Sequence, residues 1–211
     1  GEAESFQRSG AQFQHAMKLL LEDAVFRNFV ISRALMTGSA LAAPYIVLFS
    51  QTVSGRQLGQ LGGFVFAGAL ASLLSGWIWG RLADISSRRV LVFSSLIASA
   101  VCFGLLSMRG IVQGSLLAQW LFPVCYMLLI IAHDGVRVGR KTYLLNLGSG
   151  NKRTDYVSIS NSLIGCFLIL MGVFVSLLHE FPTAWIVLMF GVMSLVGALW
   201  ARWTLPWLEK A

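Results

Sequence analysis

Gly80-Arg81-Leu82-Ala83-Asp84-Ile85-Ser86-Ser87-Arg88-Arg89 separates two long segments, 57–80 and 90–108, that carry no charged side chain. A short basic stretch between two uncharged runs reads as a loop joining two membrane helices, because a hydrocarbon core of about 30 Å demands about 20 apolar residues per helical span. On either side of it, the gaps between charged residues define six such windows: 34–55, 57–80, 90–108, 110–132, 156–178 and 181–201. A membrane β-strand would alternate apolar and polar residues, and Leu61–Trp79 shows no alternation. The expected fold is an all-α membrane protein of six transmembrane helices. It divides into a cytoplasmic lead-in over 1–27, a membrane domain over 28–205 and a cytoplasmic tail over 206–211.

Composition agrees. Charged residues make up 12% of the chain and hydrophobic ones 56%, against roughly 25% and 45–50% in soluble domains. The net charge of +7 therefore needs a membrane explanation before a nucleic-acid one. Arg8, Lys18 and Arg27 precede the first window; Arg81, Arg88 and Arg89 fill the second connection, and Arg140, Lys141, Lys152 and Arg153 the fourth. Arg202 and Lys210 follow the last window, whereas the odd connections hold Arg56, Arg109 and His179. Positive charge collects on the cytoplasmic side of a membrane, so both termini and the even connections are expected there. The charge reports topology, and no nucleic-acid partner is expected.

The seven tryptophans lie near window ends, at 77, 79, 120, 185, 200, 203 and 207, where amphipathic rings suit the headgroup level. Cys102, Cys125 and Cys166 sit inside windows at spacings that match neither a metal site nor a disulfide framework. Phe13, Met17, Leu20, Leu21 and Ala24 form a helical apolar stripe, the pattern of a helix on the membrane surface. This lead-in fits the end of a connecting segment within a longer polypeptide. Gly68, Ser72, Gly76 and Gly80 recur every four residues, a spacing for close helix packing, and Gly38, Ala42, Gly165 and Gly172 read similarly. Pro44 predicts a kink in the first helix.

Charge inside a span costs about 2.5–3.5 kcal/mol at the bilayer centre and needs a partner or a use. Arg33, a turn and a half inside the first helix from Arg27, and His133, Asp134 and Arg137 at the end of the fourth helix are such charges. His133, Arg137, Arg140 and Lys141 share one helical face, with Asp134 placed to neutralise Arg137. One reading is a helix end emerging into water; the other is a polar path in which His133, beside a carboxylate, handles protons. Tyr156, Ser160 and Asn161 begin a polar stripe with Ser158 and Ser162 that calls for interhelical hydrogen bonds.

Six helices with both ends cytoplasmic and a Gly-x-x-x-Asp-x-x-x-Arg-Arg turn after the second resemble one half of a major facilitator superfamily transporter. That family's loop reads Gly-x-x-x-Asp-Arg/Lys-x-Gly-Arg-Arg; Gly80, Asp84, Arg88 and Arg89 match it, and Ile85 and Ser87 depart from it. The weaker copy of the loop usually lies in the second half, so the resemblance implies the C-terminal half of a twelve-helix transporter in the plasma membrane, the inner membrane of a bacterium. It implies secondary transport of a small-molecule substrate by alternating access, with the lipid bilayer and the other six-helix half as partners and no cofactor, metal or catalytic residue. Asp84, Arg88 and Arg89 would form a conformational latch, and Arg33, Tyr45, Tyr126, His133, Asp134, Arg137 and Asn161 become candidates for the cavity or for coupling. Two other classes compete. An intramembrane protease needs a serine–histidine pair that no spacing here provides. A non-transporting assembly or receptor module would share the fold, since fold alone does not settle function.

Overall fold

Long uncharged runs become helices in a membrane because a helix satisfies its own backbone hydrogen bonds where water is absent. The computed structural model describes residues 14, 17–54, 58–112, 117–148 and 150–208. Within them it is all-helical: α1 Ala24–Met36, α2 Gly38–Ser54, α3 Leu58–Ile85, α4 Ser87–Val112, α5 Leu117–Leu147, α6 Asn151–Leu177 and α7 Thr183–Thr204. Six spans are long and apolar enough to cross a membrane, α1 and α2 forming the first over Ala24–Val53. The expectations for Arg8, Phe13, Arg56 and Lys210 lie outside the described residues.

The first span begins ten residues before its uncharged window. Asp23 caps α1, its carboxylate accepting the Phe26 amide at 2.9 Å. A short helix over 17–22 ends at this cap, so the apolar stripe of the lead-in does not continue as one surface helix into Ala24. Arg27 turns back to donate to the Leu20 and Leu21 carbonyls at that helix end. The interruption of the span falls at Thr37, and α2 runs through Pro44 unbroken. At the break the Thr37 and Ser39 hydroxyls donate to the Ala34 and Met36 carbonyls, local bonds that compete with the helical ladder.

α4, α5 and α7 form the centre of the bundle, with α1 and α2 against α7 and α3 against α5. Close approach is set by glycines other than the four-residue series. A Cβ on Gly135 would lie 2.5 Å from Trp79, on Gly191 2.8 Å from Cys102, and on Gly38 2.8 Å from the Phe190 carbonyl. Trp79, expected at the membrane surface, is instead 3% exposed and donates to the Ile131 carbonyl at 2.7 Å, binding α3 to α5. Trp77, Trp120, Trp185, Trp203 and Trp207 do lie exposed.

Ser72, Gly76 and Gly80 of the small-residue series on α3 face outward, whereas Gly68 faces Tyr126. A Cβ on Gly76, Gly80, Gly165 or Gly172 would meet nothing within 4 Å among the described residues, whereas Gly38, read the same way, is closely approached by α7. In α3 and α6 only 22% and 11% of the most apolar window is buried, against 39–56% in the other four spans. The two helices thus stand on the rim with small residues and large apolar ones exposed together.

Candidate functional site

The charged residues gather at the end of the bundle where α1 begins, α3 meets α4, α5 gives way to α6 and α7 ends. Asp23 accepts the Tyr156 hydroxyl at 2.5 Å, and Tyr143 donates to the Pro206 carbonyl at 3.2 Å. Tyr156 also stacks on Phe26, and Tyr143 on Phe29, so α1 is clamped to α6 and α5 by aromatic pairs with polar tips.

Arg33 is the central finding. It is 9% exposed, yet its two terminal nitrogens donate to Ser160 Oγ and Asn161 Oδ1, each at 2.7 Å, and its Nε has no partner among the described residues. Hydrogen bonds to a charged group contribute about 1.5–3 kcal/mol each, against a desolvation penalty of several kcal/mol. The neutral acceptors hold the guanidinium in place and leave its charge uncompensated. Arg33, Asn161, Arg140 and Lys141 line one cavity of about 280 Å³ with Leu144, Leu145 and Val157. The polar stripe at 156–161 therefore does form interhelical bonds, and Arg33 is what it bonds to.

The remaining candidates fall into separate neighbourhoods. Asp134, buried, accepts from exposed Arg137 at 2.8 Å, the local neutralisation that the spacing predicts. His133 Nδ1 approaches Ser39 Oγ at 3.5 Å, just past the break at Thr37. Neither His133 nor Asp134 lines the Arg33 cavity. Tyr126 packs edge-on against Phe64 and lies 3.6 Å from a Cβ on Gly68. Tyr45 tilts against Phe190 and lines a second cavity, of about 490 Å³, with His179 and Phe181 at the opposite end of the bundle.

The Gly80–Arg89 stretch is almost wholly helical, with Ser86 alone between α3 and α4. Arg88 and Arg89 lie over the Trp207 ring, at 4.7 and 5.1 Å from its centroid, and Arg88 also donates to the Arg202 carbonyl. That carbonyl is one of the unpaired acceptors at the end of α7. Asp84 is exposed and makes no hydrogen bond or ion pair with the described residues. The sequence marks Ser160 for an interhelical hydrogen bond without naming Arg33 as its partner, and it gives no sign of the brace at Trp207.

Fold and site define a multi-pass, all-helical membrane protein. Comparisons with protein-family models, curated proteins and solved structures found no match for the chain.

Proposed function

We propose that these six spans are one half of a secondary transporter of the major facilitator type, with both ends in the cytoplasm, moving a small solute by alternating access. The observation that carries the reading is the rim formed by α3 and α6. Gly76, Gly80, Gly165 and Gly172 present open backbone to the outside of the bundle. Lipid gains nothing from such positions, whereas a second bundle can approach them closely. Two such bundles rocking about their shared face open a central site to each side in turn.

In this reading the loop divides its work. Arg88 and Arg89 brace their own half through Trp207 and the end of α7. Asp84, exposed at the end of α3, is the group left to meet the other half and favour one conformation. His133, adjacent to the paired Asp134 and facing Ser39 beside the break in the first span, is the proton-handling candidate.

Cysteines at Gly76 and Gly165, placed in the intact protein after replacement of Cys102, Cys125 and Cys166, test the rim in native membranes. Positions facing a partner bundle and its aqueous cavity react with a water-soluble maleimide to a degree that changes with conformational state. Reaction with a lipid-soluble reagent alone, unchanged under every condition, overturns the reading.

A further inference from the structure

We infer that the cavity bounded by Arg33, Arg140, Lys141 and Asn161 is a binding site for a phosphate-class oxyanion. The inference goes beyond the transport reading and stands without it. Three cations and no acid are among the seven described residues that line the cavity. The ion pairs of Lys18 with Glu22, Arg137 with Asp134, and His179 with Glu180 use none of these three cations. The buried Arg33 has only the neutral Ser160 and Asn161 as hydrogen-bond partners among the described residues.

Two structural explanations each account for only part of the cluster: the end of α1 favours Arg33, which lies in its last turn, and solvent reaches Lys141, which is exposed. Arg140 and Lys141 lie more than a turn before the end of α5 at Leu147, whereas the attraction of cations to a helix C-terminus is confined to its last turn. Positive charge that only marks a membrane side stays in water or snorkels toward it. Arg33 does neither, being nine-tenths buried with its fork fixed by Ser160 and Asn161 and its Nε unpartnered among the described residues. A guanidinium already oriented by neutral acceptors, beside a second guanidinium and an ammonium, is preorganised for a multiply charged oxyanion. A phosphorylated solute and the headgroup of an anionic phospholipid share that chemistry.

Binding to the intact protein separates the two sources. In a neutral maltoside detergent without phospholipid, radiolabelled inorganic phosphate should bind saturably, compete with sulfate and not with chloride. In nanodiscs of phosphatidylcholine with one-fifth phosphatidylglycerol, native mass spectrometry should otherwise find phosphatidylglycerol retained selectively. Either result supports the site when the Arg140→Gln/Lys141→Gln variant, on the cavity's less buried side, weakens it tenfold or more while eluting as wild type. Arg33→Lys keeps the charge and loses the fork, and should weaken binding several-fold. Absence of both phosphate binding and lipid retention overturns the inference, as does binding that the variants leave unchanged. Should the paired variant fail to fold, sulfate and chloride competing equally in the wild type would overturn it. Because binding is read without transport, a protein that binds phosphate and moves no solute would defeat the transport reading and leave the site standing.

Discussion

Asp23 accepts the Tyr156 hydroxyl at 2.5 Å across 133 residues of chain, so the residue that caps α1 also ties it to α6. Partial burial raises the Asp23 pKa, but the Tyr156 hydroxyl, the Phe26 and Val25 amides and the Lys152 charge outweigh it and hold the carboxyl below its usual 3.8. A carboxylate whose folded pKa is depressed contributes stability that is present above its unfolded pKa and lost as pH falls through the folded value. Stability should therefore decline below about pH 4 in part through this group. Asp23→Ala removes the cap and should cost about 1 kcal/mol at neutral pH, and should flatten the acid limb of a thermal-unfolding series. An unchanged acid limb would separate Asp23 from the pH response. Tyr156→Phe keeps the ring stacked on Phe26 and should lose only the hydrogen-bond share.

Gly135 sets how closely α5 meets α3. A Cβ there would lie 2.5 Å from Trp79 Cε2 and 2.7 Å from Ser94 Cβ, and Trp79 cannot swing aside without breaking its bond to the Ile131 carbonyl. Gly135→Ala should destabilise by about 1–3 kcal/mol, the range for overpacking a filled core. Gly165→Ala, which meets open space, should leave the stability of this bundle unchanged. Thermal midpoints in detergent compare them directly; equal midpoints for the two variants would show that the α3–α5 contact yields.

Much of the fold was legible because apolar length and charge placement are one-dimensional signals: the uncharged windows lie largely within the observed spans, except the fourth, whose span is displaced to Trp120–Leu147. The start of the first span was legible to within a few residues, since Arg33 and the domain start at 28 fall inside a helix that begins at Ala24 behind the Asp23 cap. Glycine spacing was less legible. The series at Gly68, Ser72, Gly76 and Gly80 says that a backbone can be approached, and only packing shows that Gly135 and Gly191 are among those approached within this chain. Trp79 was read as interfacial by position, and its indole finds a carbonyl inside the bundle instead. Arg33 and Asn161 were both singled out, but 128 residues of separation hid that they bond each other.

Trp207 holds the chain after α7 against the α3–α4 junction. Two arginines share its ring, and each exposed cation–π contact is worth about 0.5–1 kcal/mol. Leu205, 2% exposed, and the Tyr143 bond to the Pro206 carbonyl hold the same segment. Trp207→Ala should loosen this segment without unfolding the bundle. Limited trypsin digestion should then cleave at Arg202 several-fold faster at an unaltered thermal midpoint; an unchanged rate would assign the anchoring to Leu205 and Tyr143.

His133→Ala tests proton handling. In reconstituted vesicles, uptake driven by a pH gradient should fall to the level of leak while solute exchange without a gradient survives. Gradient-driven uptake at the wild-type rate would remove His133 from the coupling, and loss of both activities would mark it as structural through Ser39.

Asp84→Asn tests the latch. Asp84 contributes no hydrogen bond or ion pair to the described residues, so neutralising it should not change the stability of this half. If its charge meets a helix N-terminus of the second bundle in one conformation only, that contact is worth about 0.3–2 kcal/mol, and its loss shifts the conformational ratio by roughly 2- to 30-fold. Reactivity of a cysteine at Gly76 toward a water-soluble maleimide reads that ratio in native membranes. The shift should appear with the phosphate affinity of the Arg33 cavity unchanged, because Asp84 does not line it. Equal reactivity with and without the Asp84 charge would leave the residue a solvated helix end and return the control of conformation to the Arg88–Arg89–Trp207 brace.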